Sequence, residues 1–126
     1  MSVDDLLTWP VDVFAPCALG DVLTPATVPL LRARIVAGAA NNQLSEQSVG
    51  DLLRDARVLY APDFVANGGG LINNAALLDG YDRARVLRDC ARIGRTLTDV
   101  FELADRNGTS TNRAATELAR RRTRDL

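Results

Sequence analysis

Three short apolar runs punctuate the first half of the chain: Val11-Asp12-Val13-Phe14-Ala15, Arg34-Ile35-Val36-Ala37-Gly38-Ala39 and Arg57-Val58-Leu59-Tyr60-Ala61. Each is brief, nearly continuous and bounded by breakers, the pattern of a strand buried on both faces. Two connectors separate them. In the first, Thr24 stands as an N-cap with Pro25 at the first helical position, and Val28, Leu30 and Leu31 face a core. In the second, Ser45 or Ser48 caps a short helix running through Leu52 and Leu53 to Ala56. Strand, helix, strand, helix, strand predicts right-handed crossovers and a parallel sheet. The opening segment predicts a small helix with Ser2 as its cap and Leu6, Leu7 and Trp9 on its buried side.

Beyond the third run the pattern is helical only. Val86, Cys90, Ile93, Leu97, Val100 or Phe101, and Ala104 recur at three- and four-residue spacing, which predicts one long amphipathic helix. Asn107-Gly108 ends it in the manner of a left-handed cap. Residues Thr109 to Thr111 offer caps for a final helix carrying Ala114, Ala115 and Leu118. The chain contains no internal repeat, and its 126 residues suit one domain.

Composition narrows the chemistry. With 47% apolar and 25% charged residues the chain has the makeup of a globular protein, which excludes disorder. It contains no His, and all 15 of its basic residues are Arg. The chain itself therefore supplies no imidazole base, no Ser-His or Cys-His pair, no histidine metal site and no Schiff-base amine. Residues 1–80 carry four Arg against nine acidic groups, whereas residues 81–126 carry eleven Arg against seven. The basic end, Arg120-Arg121-Arg122-Thr123-Arg124, lacks the aromatic platform of a nucleic-acid surface and reads as a solvated or ion-pairing helix face. Cys17 and Cys90 form no metal or disulfide motif, the start is not a signal peptide, and no apolar run approaches membrane-spanning length. A cytoplasmic protein with no membrane and no nucleic-acid partner is expected.

Ligands of open parallel sheets bind beyond the carboxyl ends of the strands. Three loops fall there: Ala15-Pro16-Cys17-Ala18-Leu19-Gly20, Gly38-Ala39-Ala40-Asn41-Asn42-Gln43, and Pro62-Asp63-Phe64-Val65-Ala66-Asn67-Gly68-Gly69-Gly70. They are expected to meet in one crevice. The glycine run departs from G-x-G-x-x-G at Asn73, and reads either as the turn starting the next helix or as a loop that lets a flat ligand approach the backbone. Asn41 and Asn67 offer amides to carboxamide or carboxylate groups, or cap helices. Cys17 reads as a buried small hydrophobe rather than a nucleophile. Asp63 and Tyr60 are the best-placed titratable groups, and Asp63 also suits a turn cap.

The three loops in this order, with Leu71-Ile72-Asn73 after the third and Gly80-Tyr81-Asp82-Arg83 beyond, resemble consecutive motifs of the leucine, phenylalanine and valine dehydrogenases. The resemblance runs over almost the whole chain. It implies an α/β fold: a truncated Rossmann-like three-layer arrangement with a small, about three-stranded parallel sheet followed by C-terminal helices. A single domain over residues 1–126 is expected, half Rossmann-like, with strands and crossover helices over 1–80 and the C-terminal helices over 81–126. Those enzymes are two-domain NAD-dependent oxidative deaminases, and the likeness is to the second half of their cofactor domain. Their glycine fingerprint and ribose-binding acid precede the matching segment, and their catalytic lysines lie in a substrate domain that has no counterpart in this sequence.

By position, the resemblance implies that Cys17, Ala18 and Leu19 border the cofactor and that Asn41 meets the nicotinamide side. Asn67, Gly69, Gly70 and Leu71 would border nicotinamide and substrate. The expected ligand-binding set adds Asn42 and Gly68, the expected catalytic pair is Asp63 and Tyr60, and no metal site is expected. The functional expectation is a free-standing dehydrogenase-like protein that binds a small amino-acid-, imine- or keto-acid-like ligand. Its expected chemistry is non-redox, isomerisation or cyclisation, and requires no cofactor, although the resemblance allows NAD. The alternatives are a non-catalytic subunit or regulatory module of a full-length dehydrogenase and, least favoured, an NAD-dependent dehydrogenase in its own right. A homodimer is expected, formed through the exposed sheet edge or the C-terminal helices.

Overall fold

The computed structural model describes residues 3–124. Its elements run α1 (Val3–Leu7), β1 (Val13–Phe14), a 3-10 turn (Val28–Leu30), β2 (Ile35–Val36), α2 (Val49–Asp55), β3 (Leu59–Tyr60), α3 (Asp63–Ala66), α4 (Gly69–Leu78), α5 (Arg83–Asn107) and α6 (Thr111–Arg124). The three strands form one parallel sheet in the order β1-β2-β3. An α/β fold with a small parallel sheet followed by helices is therefore what the chain adopts.

The strands are shorter than the apolar runs that announce them. Pro16 has no N–H to extend β1, and the ladder survives past the strands only as single bonds such as Ala37 N–H to the Phe14 carbonyl and Ala61 N–H to the Val36 carbonyl, 3.0 and 2.9 Å. Nor are both faces buried. Phe14, Val36 and Tyr60 lie in register on one face and join Leu23, Val49 and Leu53 in the main core. Their neighbours Val13, Ile35 and Leu59 point the other way, with Val13 49% and Leu59 41% exposed. The opposite face of this sheet is apolar and open.

The first connector forms a turn and a short 3-10 segment instead of an α-helix. Thr24 does cap it, its hydroxyl oxygen accepting from the N–H groups of Ala26 and Thr27 at 3.2 and 3.1 Å. Pro29 then stops an α-helix, because its ring excludes the preceding turn and it has no N–H to donate. Val28 is buried but Leu30 is exposed. Ser48 occupies the N-cap position of α2 without a side-chain capping bond. Of Leu6, Leu7 and Trp9, Leu7 is buried while Leu6 and Trp9 are exposed; α1 is too short to turn all three inward. The capping role expected of Ser2 lies outside the described residues.

The long helix matches its stripe. Val86, Val100, Leu103 and Ala104 are buried along α5, and Val100, Leu103 and Ala104 pack with Ala114 and Ala115 of α6 into a second core. The Asp82 carboxylate accepts the Ala84 N–H at 2.9 Å to begin α5. Gly108, at φ 62°, ends it, and Thr109 N–H returns to the Ala104 carbonyl at 3.0 Å. This is the Schellman closure for which a glycine in the left-handed region is suited.

Asp51 ties α2 to α6. Its carboxylate accepts a fork from Arg113, at 2.9 Å from Nε and 2.7 Å from Nη2, and a 2.6 Å bond from the Ser110 hydroxyl. The Arg113 bonds chiefly, and Ser110 second, hold the Asp51 carboxyl below its ordinary value. A lowered folded-state pKa stabilises the fold above the unfolded value of about 3.9, and that contribution is lost as pH falls through the folded value. Melting curves taken below about pH 4 should therefore fall more steeply in the native chain than in Asp51→Asn. Parallel acid limbs would show that the fork adds nothing.

Candidate functional site

The loops after β2 and β3 face each other and enclose a cleft of about 660 Å3 lined by Asn41, Asn42, Asp63, Asn67, Gly68, Gly70 and Leu71 among others. Its size is within the range of small-ligand sites. Across it the Asn67 side-chain NH2 donates to Asn41 Oδ1 at 2.6 Å. This bond leaves the Asn41 NH2 and the Asn67 carbonyl as the complementary donor and acceptor that a carboxamide or carboxylate needs.

Gln43 holds the two loops in register. Its N–H donates to Asp63 Oδ2 at 2.9 Å, and its fully buried amide donates to the Gly38 and Ala40 carbonyls, each at 2.9 Å. The other Asp63 oxygen accepts the Phe64 N–H at 2.8 Å. Asp63 is thus the first residue of α3 and also the tether between loops. Asn42, at φ 52°, occupies the left-handed region that asparagine tolerates, and its carbonyl accepts the Asp21 N–H at 2.7 Å.

The first loop joins from the side. The Pro16 carbonyl accepts the Ala40 N–H at 2.9 Å, and Cys17 Sγ accepts the Ala39 N–H at 3.4 Å. Cys17 is exposed, contrary to the expectation of a buried hydrophobe, because the chain leaves the sheet at Pro16 and carries the thiol outward. Ala18 and Leu19 are exposed as well and do not line the cleft. The single crevice of three loops is therefore a two-loop cleft flanked by the third.

The glycine run has a different use from an open loop. Gly68 is the N-cap of α4, and Gly69 and Gly70 are already helical. A Cβ on Gly69 would lie 3.7 Å from Cys90 Sγ of α5, so this glycine faces the long helix rather than the cleft. Gly68 and Gly70 do line the cleft. Tyr60 is buried beneath it, 2% exposed, and its phenol oxygen accepts the Asp63 N–H at 3.2 Å. Burial, with the Asp63 charge adding to it, pushes the Tyr60 phenol far above its ordinary value and keeps it protonated.

Gln43 carries no sequence signal that distinguishes it from the asparagines beside it, since its partner Asp63 lies 20 residues away. Among the described residues no group of His, Cys, Asp and Glu side chains could hold a metal ion, and no helix is long and apolar enough to cross a membrane. The basic run at the end of α6 is partly paired, Arg121 with Glu117 and Arg122 with Asp99 of α5.

Leucine dehydrogenase of Bacillus cereus is 44% identical to the chain over 115 residues, 91% of this chain and 31% of that protein. L-tryptophan dehydrogenase of Nostoc punctiforme is 46% identical over 116 residues, again 91% of this chain and 33% of the relative. The crystal structure of the Nostoc punctiforme enzyme superposes with a TM-score of 0.93 at 43% identity, covering 97% of this chain and 37% of that one. The chain thus spans about a third of the length of the curated relatives it matches. Residues 1–77 match the Glutamate/Leucine/Phenylalanine/Valine dehydrogenase family, and the chain belongs to that family.

Proposed function

We propose that the cleft between Asn41 and Asn67 binds a small amino-acid-, imine- or keto-acid-like compound, and that Asp63 moves a proton on it without hydride transfer. The observation that supports this reading most is the 2.6 Å amide pair, which presents one donor and one acceptor to a single flat polar group beside the Asp63 carboxylate. Each Asp63 oxygen accepts a backbone N–H and keeps a second lone pair for a ligand proton. An imine–enamine or keto–enol shift removes one proton from carbon and returns it elsewhere, so it balances with no oxidant. Tyr60 is a positioning residue that supports Asp63 from beneath.

The same amides suit the carboxamide of a nicotinamide ring, so Asn41 and Asn67 are the residues that would hold that end of NAD. The cofactor would supply hydride acceptance. The open face of Val13, Ile35 and Leu59, with β1 at the sheet edge, favours a second reading beside the first: association with another copy, or with a larger dehydrogenase as a subunit.

The test is proton exchange. In D2O, 4-methyl-2-oxopentanoate, the keto acid of leucine, should lose its C3 protons faster with the protein than in buffer, and Asp63→Asn should reduce that acceleration by about 100-fold. No NADH should form from NAD and leucine or tryptophan. Exchange at the buffer rate, or turnover of NAD by the chain alone, would reject the non-redox reading.

A further inference from the structure

A second cavity, of about 380 Å3, lies on the other side of the α3–α4 junction, between α4, α5 and α6. Its interior is apolar. Val100 and Ala115 are buried in its depth, and Val65, Ile72, Ile93 and Leu118 form its walls. Arg92 of α5 and Arg122 of α6 stand in the same lining. Both are exposed; Arg92 pairs at 3.0 Å with Asp89, a half-buried carboxylate that also lines the cavity, and Arg122 pairs at 3.3 Å with the exposed Asp99. Exposed ion pairs of this kind exchange readily. A guanidinium has five N–H donors, so each keeps donors to offer.

We propose that this cavity, which adjoins the Asn41–Asn67 cleft and shares Phe64, Gly68 and Leu71 with it, is a binding site of its own for an amphipathic monocarboxylate: an aliphatic or aromatic body in the groove and a carboxylate between Arg92 and Arg122. The apolar interior favours the body, and the two guanidiniums supply planar, charge-assisted donors for the head. The volume lies near the lower end of the range for small-molecule sites, which sets the body at the size of a medium-length acyl chain.

Octanoate is the probe, followed by calorimetry and by methyl NMR of the whole chain. Saturable one-to-one binding is expected, with shifts at Ile93 and Leu118. Octanol should bind about tenfold more weakly, and the double variant Arg92→Gln/Arg122→Gln should bring octanoate to the level of octanol. Ile93→Trp, which fills the groove, should abolish binding of both probes. The arginines are exposed, so their replacement reports on recognition even if Ile93→Trp does not fold. Equal affinity for octanoate and octanol, no saturable binding of either, or loss of octanoate binding in Asn67→Ala, which would place it in the cleft, would each overturn the proposal.

Discussion

Gly38→Ala is expected to destabilise the chain by about 3 kcal/mol, at the upper end of the cost of overpacking, and to lower its melting midpoint by roughly 10 °C. A Cβ at Gly38 would lie 2.6 Å from Pro16 N and 2.7 Å from Pro16 C, and closer still to the Pro16 carbonyl oxygen. All three are backbone atoms, so no rotamer change relieves the clash. The loop after β2 would have to part from the loop after β1, and with it the Gly38 carbonyl that holds the Gln43 amide at 2.9 Å. Because Gln43 tethers Asp63, the damage should reach the cleft. The melting midpoint and binding of 4-methyl-2-oxopentanoate should fall together, and a Gly38→Ala variant with a native melting midpoint would show that the two loops do not cross as closely as described.

Gly50→Ala is expected to cost a comparable amount for a different reason. Its Cβ would lie 2.5 Å from Asn112 Cγ and 2.8 Å from Nδ2, inside contact distance of a side chain. A side chain elsewhere could swing away. Asn112 is buried, and its amide donates to the Gln47 carbonyl and to Gln47 Oε1 at 3.2 and 3.0 Å. Moving it would leave those groups without their donor, at about 1–3 kcal/mol. The separating measurement is a double-mutant cycle in urea. In an Asn112→Ala background the further cost of Gly50→Ala should nearly vanish, whereas simple addition of the two losses would contradict the account of how α2 meets α6.

These two glycines mark the boundary of what the sequence makes legible. Strand runs, the Thr24 cap, the α5 stripe and the Gly108 stop are local signals, written within a few residues of the structure they specify, and they correspond to observed elements. The α/β class and the parallel order follow from the same local signals plus the crossover rule. Contacts between distant segments are invisible in that pattern. Nothing around Gly38 says that Pro16 crosses it, and nothing around Gln43 points to Asp63. The exposed face of Val13 and Leu59 was equally hidden, since an apolar run shows that a strand can be buried on both sides and not whether anything covers it.

The candidate site was legible in its parts more than in its arrangement. Asn41, Asn42, Asp63, Asn67, Gly68, Gly70 and Leu71 stand together around the cleft. Gly69 turns toward Cys90, Tyr60 lies beneath Asp63, and Cys17, Ala18 and Leu19 stay outside. Gly69 differs from its neighbours because α4 has already started there, so successive positions turn by a helical step and Gly69 faces α5 while Gly68 and Gly70 line the cleft.

The claim on which the functional reading rests is that the Asn41–Asn67 cleft is where a ligand binds. Amide NMR of the labelled chain, titrated separately with 4-methyl-2-oxopentanoate and with nicotinamide mononucleotide, tests it directly. Saturable shifts confined to residues 39–43 and 63–71, and abolished by Asn67→Ala, are the expected result. Neither compound producing saturable shifts there, or shifts that persist unchanged in Asn67→Ala, would contradict it.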